Sequence, residues 1–254
     1  MVFCVAILMA GLPLAWAAWA NRRTSLAHAL AWAAAAWIAW LADAATGTIV
    51  SRYVALSFTG CAGVAVLGAR RPGAMAWNAV VFGLLAVLLM PLAQRILSNV
   101  PLPIDPIRLG FLAVAIVVGL VNYVPTRGGL GAIALLAACL IELRRVDVEL
   151  DDIERAWSLG LAAAAPWLAA IPIALRSRQS RDADRRWRDF RDRFGVVWAM
   201  RLREQFNRAA DHAGLKVELG WRGLHRLDGQ PVGPDERIAS QELLAALMKR
   251  FGLD

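Results

Sequence analysis

The chain has 254 residues, 59% of them hydrophobic, with a mean hydropathy of +0.50 and a formal net charge of +8. Soluble proteins hold roughly 45–50% apolar residues, so an ordinary soluble globule is excluded. Cys4, Cys61 and Cys139 each sit inside an apolar run without a C-x-x-C or Cys/His cluster, which excludes a disulfide framework and a zinc site and leaves buried free thiols.

The charge is unevenly spread. Residues 1–175 carry eleven arginines, no lysine and eight acids, a net +3. Residues 176–254 carry seventeen basic residues and twelve acids, a net +5. Two regions facing different solvents are implied: an all-α transmembrane bundle of about seven spans over 1–175, then a small basic α+β module over 176–254. The boundary falls in the stretch 175–194, where an apolar helix gives way to an arginine-dense one.

In chain order the expected spans are Met1–Ala20, Leu26–Ala45, Ile49–Ala69, Ala74–Leu97, Ile107–Val124, Gly128–Leu143 and Ala156–Leu175. Most approach the ~20 residues that carry a helix across ~30 Å of hydrocarbon, and helix is the element that satisfies its own backbone there. The first is read as an uncleaved span, because Arg22 and Arg23 follow its apolar core, whereas a signal peptide carries its charge before it. Trp16, Trp19, Trp37, Trp40, Trp77 and Trp157 lie near span ends, where an interfacial belt is expected. Trp32 and Trp167 lie deeper and are expected between helices. Recurrent glycines such as Gly60, Gly63 and Gly68 allow close helix approach. The loop Arg144–Arg155 is acidic in its second half but lacks EF-hand spacing, and reads as a helix start with acids in its first turn.

With the N-terminus outside, inner loops would hold Arg22, Arg23, Arg70, Arg71 and Arg127, and outer ones Arg52, Arg95, Arg108, Arg144, Arg145 and Arg155. The tail decides orientation: Arg176, Arg178, Arg181, Arg185, Arg186 and Arg188 crowd the end of the last span. The positive-inside rule then places the C-terminus in the cytoplasm of an inner-membrane protein. The preference for Arg over Lys and the abundance of Ala fit a GC-rich bacterial genome.

In the tail, a helix is expected over Ser180–Ala213, with Trp187, Phe190, Phe194, Trp198, Leu202, Phe206 and Ala209 at helical spacing and Gly195 as a break. Gly214 caps it. Lys216–Trp221 and Leu224–Leu227 read as short strands, Asp228–Gly229 as a turn, and Pro234 opens a last helix. Arg and Asp alternate through residues 181–193, the pattern of a solvated face with i,i+4 pairs, which argues against nucleic acid. It suits anionic headgroups, with Arg176, Arg178, Arg181, Arg185, Arg186 and Trp187 as membrane-surface or partner contacts. A module this thin is expected to lean on the bundle, a second copy or a protein partner.

Polar residues within or near spans are His28, Asp43, Asn78, Gln94, Arg95, Asp105, Asn122 and Glu142, and function hides among such groups because burying them is costly. Asn78 and Asn122 read as interhelical hydrogen bonds. His28 has no second ligand at metal spacing. H-E-x-x-H, G-x-S-x-G, P-loop and G-x-G-x-x-G motifs do not occur, so no cofactor is expected.

Asp43 ends the second span and Asp105 precedes the fifth, so both face the same side of the membrane. Two carboxylates held close can share a proton and divide acid and base roles. The segment Asp43-Ala-Ala-Thr46-Gly-Thr-Ile49 resembles the D-x-x-T-x-x-I segment of prepilin-peptidase-type membrane aspartyl proteases, and Asp105 with Arg108-Leu109 resembles their second aspartate. Val50-Ser51 stand where that family has Pro-Asn, and the glycines of its second motif are absent. The resemblance covers roughly residues 31–120 and implies an aspartyl protease using Asp43 and Asp105. The expected functions are a scaffold, assembly factor or complex subunit working through its tail, with a small-molecule transporter or channel, or that protease, as alternatives.

Overall fold

The computed structural model describes residues 2–70, 73–98, 105–144, 151–174 and 183–253. Seven apolar helices come first: α1 (Val2–Ala20), α2 (Ala27–Thr46), α3 (Ile49–Leu67), α4 (Ala74–Ser98), α5 (Pro106–Val121), α6 (Gly129–Arg144) and α7 (Asp152–Ala174). Four of them, α1 to α4, are long and apolar enough to cross a membrane. The 16 residues of α5 and of α6 reach only about 24 Å at 1.5 Å per residue. Helix α7 starts four residues ahead of the expected Ala156, because Asp152 and Glu154 are stabilised in a first turn.

Helix α3 is the hub: α2, α4, α5 and α6 all pack against it, while α1 packs on α2 and α7. Its closest approach is to α5, where a Cβ placed on Gly63 would lie 2.6 Å from the Gly119 Cα. Indole groups tie the helices together. Trp40 Nε1 donates to Thr59 Oγ1 (3.0 Å), Trp37 to the Ile7 carbonyl (2.8 Å), Trp77 to the Val64 carbonyl (3.1 Å) and Trp32 to Asn78 Oδ1 (2.6 Å). Trp37, Trp40 and Trp77 are thus packing residues where a belt was expected, because each finds a hydrogen-bond acceptor on the neighbouring helix. Trp167, expected between helices, is 40% exposed, while Trp16, Trp19 and Trp157 lie on the surface as the belt requires.

After the bundle come α8 (Ala183–His212), β1 (Val217–Leu219), β2 (Leu224–Arg226) and α9 (Pro234–Met248), closed by a 3-10 turn over Lys249–Phe251. The strands pair antiparallel in the register Val217↔Arg226, Glu218↔His225, Leu219↔Leu224. Trp187, Phe190, Phe194, Leu202 and Phe206 of α8 are buried with Leu219, Leu244, Met248 and Phe251. Phe251 makes edge-to-face contacts with Phe190, Phe194 and Trp198.

This module leans on the bundle, and the contacts explain the break in α8. Gly195 is non-helical (φ 77°, ψ −177°), a backbone state that only glycine adopts readily. The Asn122 side chain fills the space that a Cβ at residue 195 would need. The Asn122 carbonyl accepts from Val196 N (2.9 Å) and its Oδ1 from Val197 N (2.9 Å). One residue of the α5–α6 turn therefore supplies, through its carbonyl and its side chain, acceptors for two amides that the broken helix leaves open. Around it, Tyr123 donates to the Arg193 carbonyl (3.0 Å) and Arg127 pairs with Asp192 (3.2 Å). Trp198 Nε1 donates to the Val66 carbonyl (3.0 Å), and Ser25 N and Oγ both donate to the Phe251 carbonyl (3.0 and 3.1 Å). The α1–α2 loop, the end of α3 and the α5–α6 turn thus all lie at the module end.

Candidate functional site

At the opposite end, four helices converge on a buried charged group. Its scaffold is the tight turn between α2 and α3. Gly47 closes α2 in the left-handed conformation (φ 63°), donating to the Asp43 carbonyl (2.8 Å), and Thr48 caps α3 by accepting from Ser51 N (3.1 Å). The turn sets the last turn of α2 beside the first of α3, so the Ser51 hydroxyl donates to Asp43 Oδ1 (2.9 Å). Thr46 and Thr48 hydroxyls lie 2.9 and 3.0 Å from Ser51 Oγ. Asp43 is 1% exposed.

The next residue of α3, Arg52, turns toward α6 and pairs through Nε with Glu142 Oε2 at 2.6 Å, their side chains 4% and 1% exposed. Arg155, from the first turn of α7, lays its guanidinium over Gly47 and donates from Nη2 to the Asp43 carbonyl (3.3 Å). Ser158, one turn further along α7, donates to the Ala138 carbonyl of α6 (3.5 Å). The group holds two carboxylates and two guanidiniums, formally neutral. It fastens the α2–α3 hairpin to the α6–α7 hairpin at the end of the bundle that the module does not touch. A buried ion pair inside a formally neutral set, with its other carboxylate hydrogen-bonded, is the form in which charge is tolerated in low dielectric.

Asp105 takes a different place. It is the N-cap of α5, accepting from Arg108 N (2.8 Å), and pairs with Arg108 Nε (3.2 Å), its side chain half exposed. Asp43 and Asp105 lie at the same end of the bundle, as their spacing requires, but have separate partners. Asp43 answers to Ser51, Arg52 and Arg155, and Asp105 to Arg108, which also reaches Gln94 (3.2 Å). Asn78 and Asn122 make the expected hydrogen bonds, Asn122 to α8 and not to another bundle helix. His28 borders, with Ser25 and Asn78, a cavity of about 10 Å³, room for one water.

Of the tail residues expected at a surface, Arg176, Arg178 and Arg181 lie outside the described residues. Arg185 is half exposed beside Asp189 (3.8 Å), and Arg186 is exposed. Trp187 is fully buried, donating to the Trp221 carbonyl (3.3 Å), so it packs the module core and makes no surface contact. Sequence reasoning singled out Asp43 and Glu142 but treated Arg52 and Arg155 as loop charges. The available signal was position: an arginine three residues into an apolar helix needs a buried partner, and Asp43 and Glu142 are the two acids inside the six apolar runs before the last.

Among the described residues no cluster of three or more His, Cys, Asp or Glu is placed to hold a metal ion. No protein-family model matches the chain, nor does any curated protein or solved structure.

Proposed function

We propose that the chain is a seven-span inner-membrane protein with its N-terminus outside and its module in the cytoplasm, acting as a scaffold or complex subunit. One observation carries this reading: the module is docked on three separate turns of the bundle. Alternate crossing by all seven apolar helices puts those turns on one side, and Arg22, Arg23, Arg70, Arg71 and Arg127 fall in or beside them. Arg52, counted above for the opposite side, is buried within α3 and is no loop charge. A docked module offers a preformed surface to a protein partner without the ordering cost of a free tail.

The reading is tested in two steps. With Cys4, Cys61 and Cys139 replaced, single cysteines at the exposed positions Thr48, Asp151 and Gln230 are probed with an impermeant maleimide. Thr48 and Asp151 should label in intact cells, and Gln230 only after lysis; labelling of Gln230 together with Thr48 would break the alternation. The protein is then extracted in native nanodiscs, where it should run well above the mass of one 27.6 kDa chain. Migration as a lone chain would overturn the subunit role.

A second reading, a transporter or channel, draws on the charged group at Asp43, Arg52, Glu142 and Arg155, because intramembrane charge often marks an ion path. It expects ion or proton flux in proteoliposomes that Glu142→Gln alters. The aspartyl protease draws no support from the separate settings of Asp43 and Asp105.

A further inference from the structure

We propose that the module end of the bundle carries a binding surface for anionic phospholipid headgroups, built from Arg22, Arg70, Arg193 and Arg201, and that occupancy stabilises the docked module. The inference rests on the docked, membrane-embedded reading above and adds a ligand to it.

All four arginines are exposed, and each lies within three residues or one ring of a docking contact. Arg22 precedes Ser25, which holds the Phe251 carbonyl, and its guanidinium stacks 4.7 Å from the Trp19 ring at the end of α1. Arg70 follows Ala69, whose carbonyl accepts from Ser25 Oγ (3.0 Å). Arg193 offers its carbonyl to Tyr123. Arg201 stacks 5.1 Å from the Trp198 ring, the same indole that donates to Val66.

Their pairing sets these four apart from the other arginines of the docking seam. Arg127 and Arg191 share the buried Asp192, so each is held by a carboxylate within the protein. None of the four has a carboxylate of the described residues within 4.0 Å. Four exposed guanidiniums without an acidic partner among the described residues, Arg22 held only by the Trp19 carbonyl (3.1 Å) and ring, beside the exposed Trp16 and Trp19, suit the phosphodiester level of a bilayer. Guanidinium matches phosphate oxygens with two parallel N–H donors, and cationic residues at this depth favour anionic lipid.

The four come from three segments: the α1–α2 loop, the α3–α4 connection and α8. Docking is what brings Arg193 and Arg201 of α8 to the bundle end that carries Arg22 and Arg70, so a ligand that binds across the seam must by linkage stabilise docking.

The test reads docking directly, through hydrogen exchange of the Val196 and Val197 amides, whose acceptors belong to Asn122. The full-length protein is compared in nanodiscs of phosphatidylcholine and of phosphatidylcholine with phosphatidylglycerol. Anionic lipid should slow exchange of these amides about tenfold, and high salt should reduce the gain. The variant R22Q/R70Q/R193Q/R201Q should lose the lipid dependence while keeping its exchange rate in neutral lipid. The matching Arg→Lys variant, which keeps charge but not the fork, should retain part of it. Protection equal in both lipids, or a full lipid effect surviving in the Gln variant, would overturn the proposal and leave docking intact. Amides unprotected in both lipids would overturn the docked reading and this one with it.

Discussion

Arg52→Met is the most informative single perturbation, because Arg52 and Glu142 are each other's closest charged partners in a water-excluded setting. Their side chains are 4% and 1% exposed, with 2.6 Å between Arg52 Nε and Glu142 Oε2. Removing one partner of a buried pair leaves an uncompensated charge and costs about 3–5 kcal/mol. Replacing both by apolar groups of similar size is often neutral or stabilising. Arg52→Met and Glu142→Leu should therefore each destabilise by about 3–5 kcal/mol, and the double variant by less than about 1 kcal/mol. The coupling of several kcal/mol marks the pair as a clasp between the α2–α3 and α6–α7 hairpins. The assay is reversible denaturant unfolding in mixed micelles, with intrinsic tryptophan fluorescence as the probe. If the single substitutions cost under 1 kcal/mol, or the double variant costs their sum, the two residues are not the dominant buried pair of the group and the reasoning fails.

Four further outcomes are expected. Gly63→Ala should cost about 1–3 kcal/mol, because its Cβ would sit 2.6 Å from the Gly119 Cα and the α3 and α5 backbones must part. Gly110→Ala on the open face of α5 meets nothing within 4 Å, so it should be neutral or slightly stabilising in the same unfolding assay. Asn122→Ala should cost about 1–3 kcal/mol by stripping the Val197 amide of its acceptor, and should expose the Gly195 region to limited proteolysis. Unchanged digestion would show that the contacts of Ser25, Tyr123, Arg127 and Trp198 hold the module without Asn122. The last outcome concerns pH. Hydrogen bonding to the Arg226 guanidinium, with help from the Gln230 amide, holds the Asp228 carboxyl below its ordinary value of 3.8. A depressed acid contributes stability above its unfolded pKa and loses it as pH falls through the folded one. Acidification below about pH 4 should therefore loosen the β1–β2 hairpin, and Asp228→Asn should flatten that acid limb in a pH titration of module fluorescence. Identical limbs would refute the assignment.

The helices were legible because long apolar runs and 3.6-residue periodicity are local properties. Every expected span matches a helix to within a few residues, and Gly195, Gly47 and Gly252 punctuate where a left-handed or broken backbone is needed. Small-residue packing was legible for the same reason, although which glycines touch was not: Gly63 could be marked as small, but only the α3–α5 crossing names Gly119 as its partner. The tryptophans show the limit of positional reasoning. Trp37 and Trp40 sit where a belt would sit, yet both turn inward, because an acceptor lies on the neighbouring helix.

By itself the sequence determined that the chain is built from apolar helices joined to a basic α+β segment, since burial of apolar surface and backbone satisfaction depend on runs of neighbours along the chain. It also determined that Asp43 and Asp105 share an end of the bundle, because two helices lie between them. Only the tertiary structure decided that Asp43 belongs with Ser51, Arg52, Glu142 and Arg155 and not with Asp105. Only the tertiary structure decided that Asn122 fills the break in α8 and docks the module on the bundle. Charge pairing and hydrogen bonding act over about 3 Å, and residues 90 positions apart, such as Arg52 and Glu142, come within that reach only through the packing of whole helices.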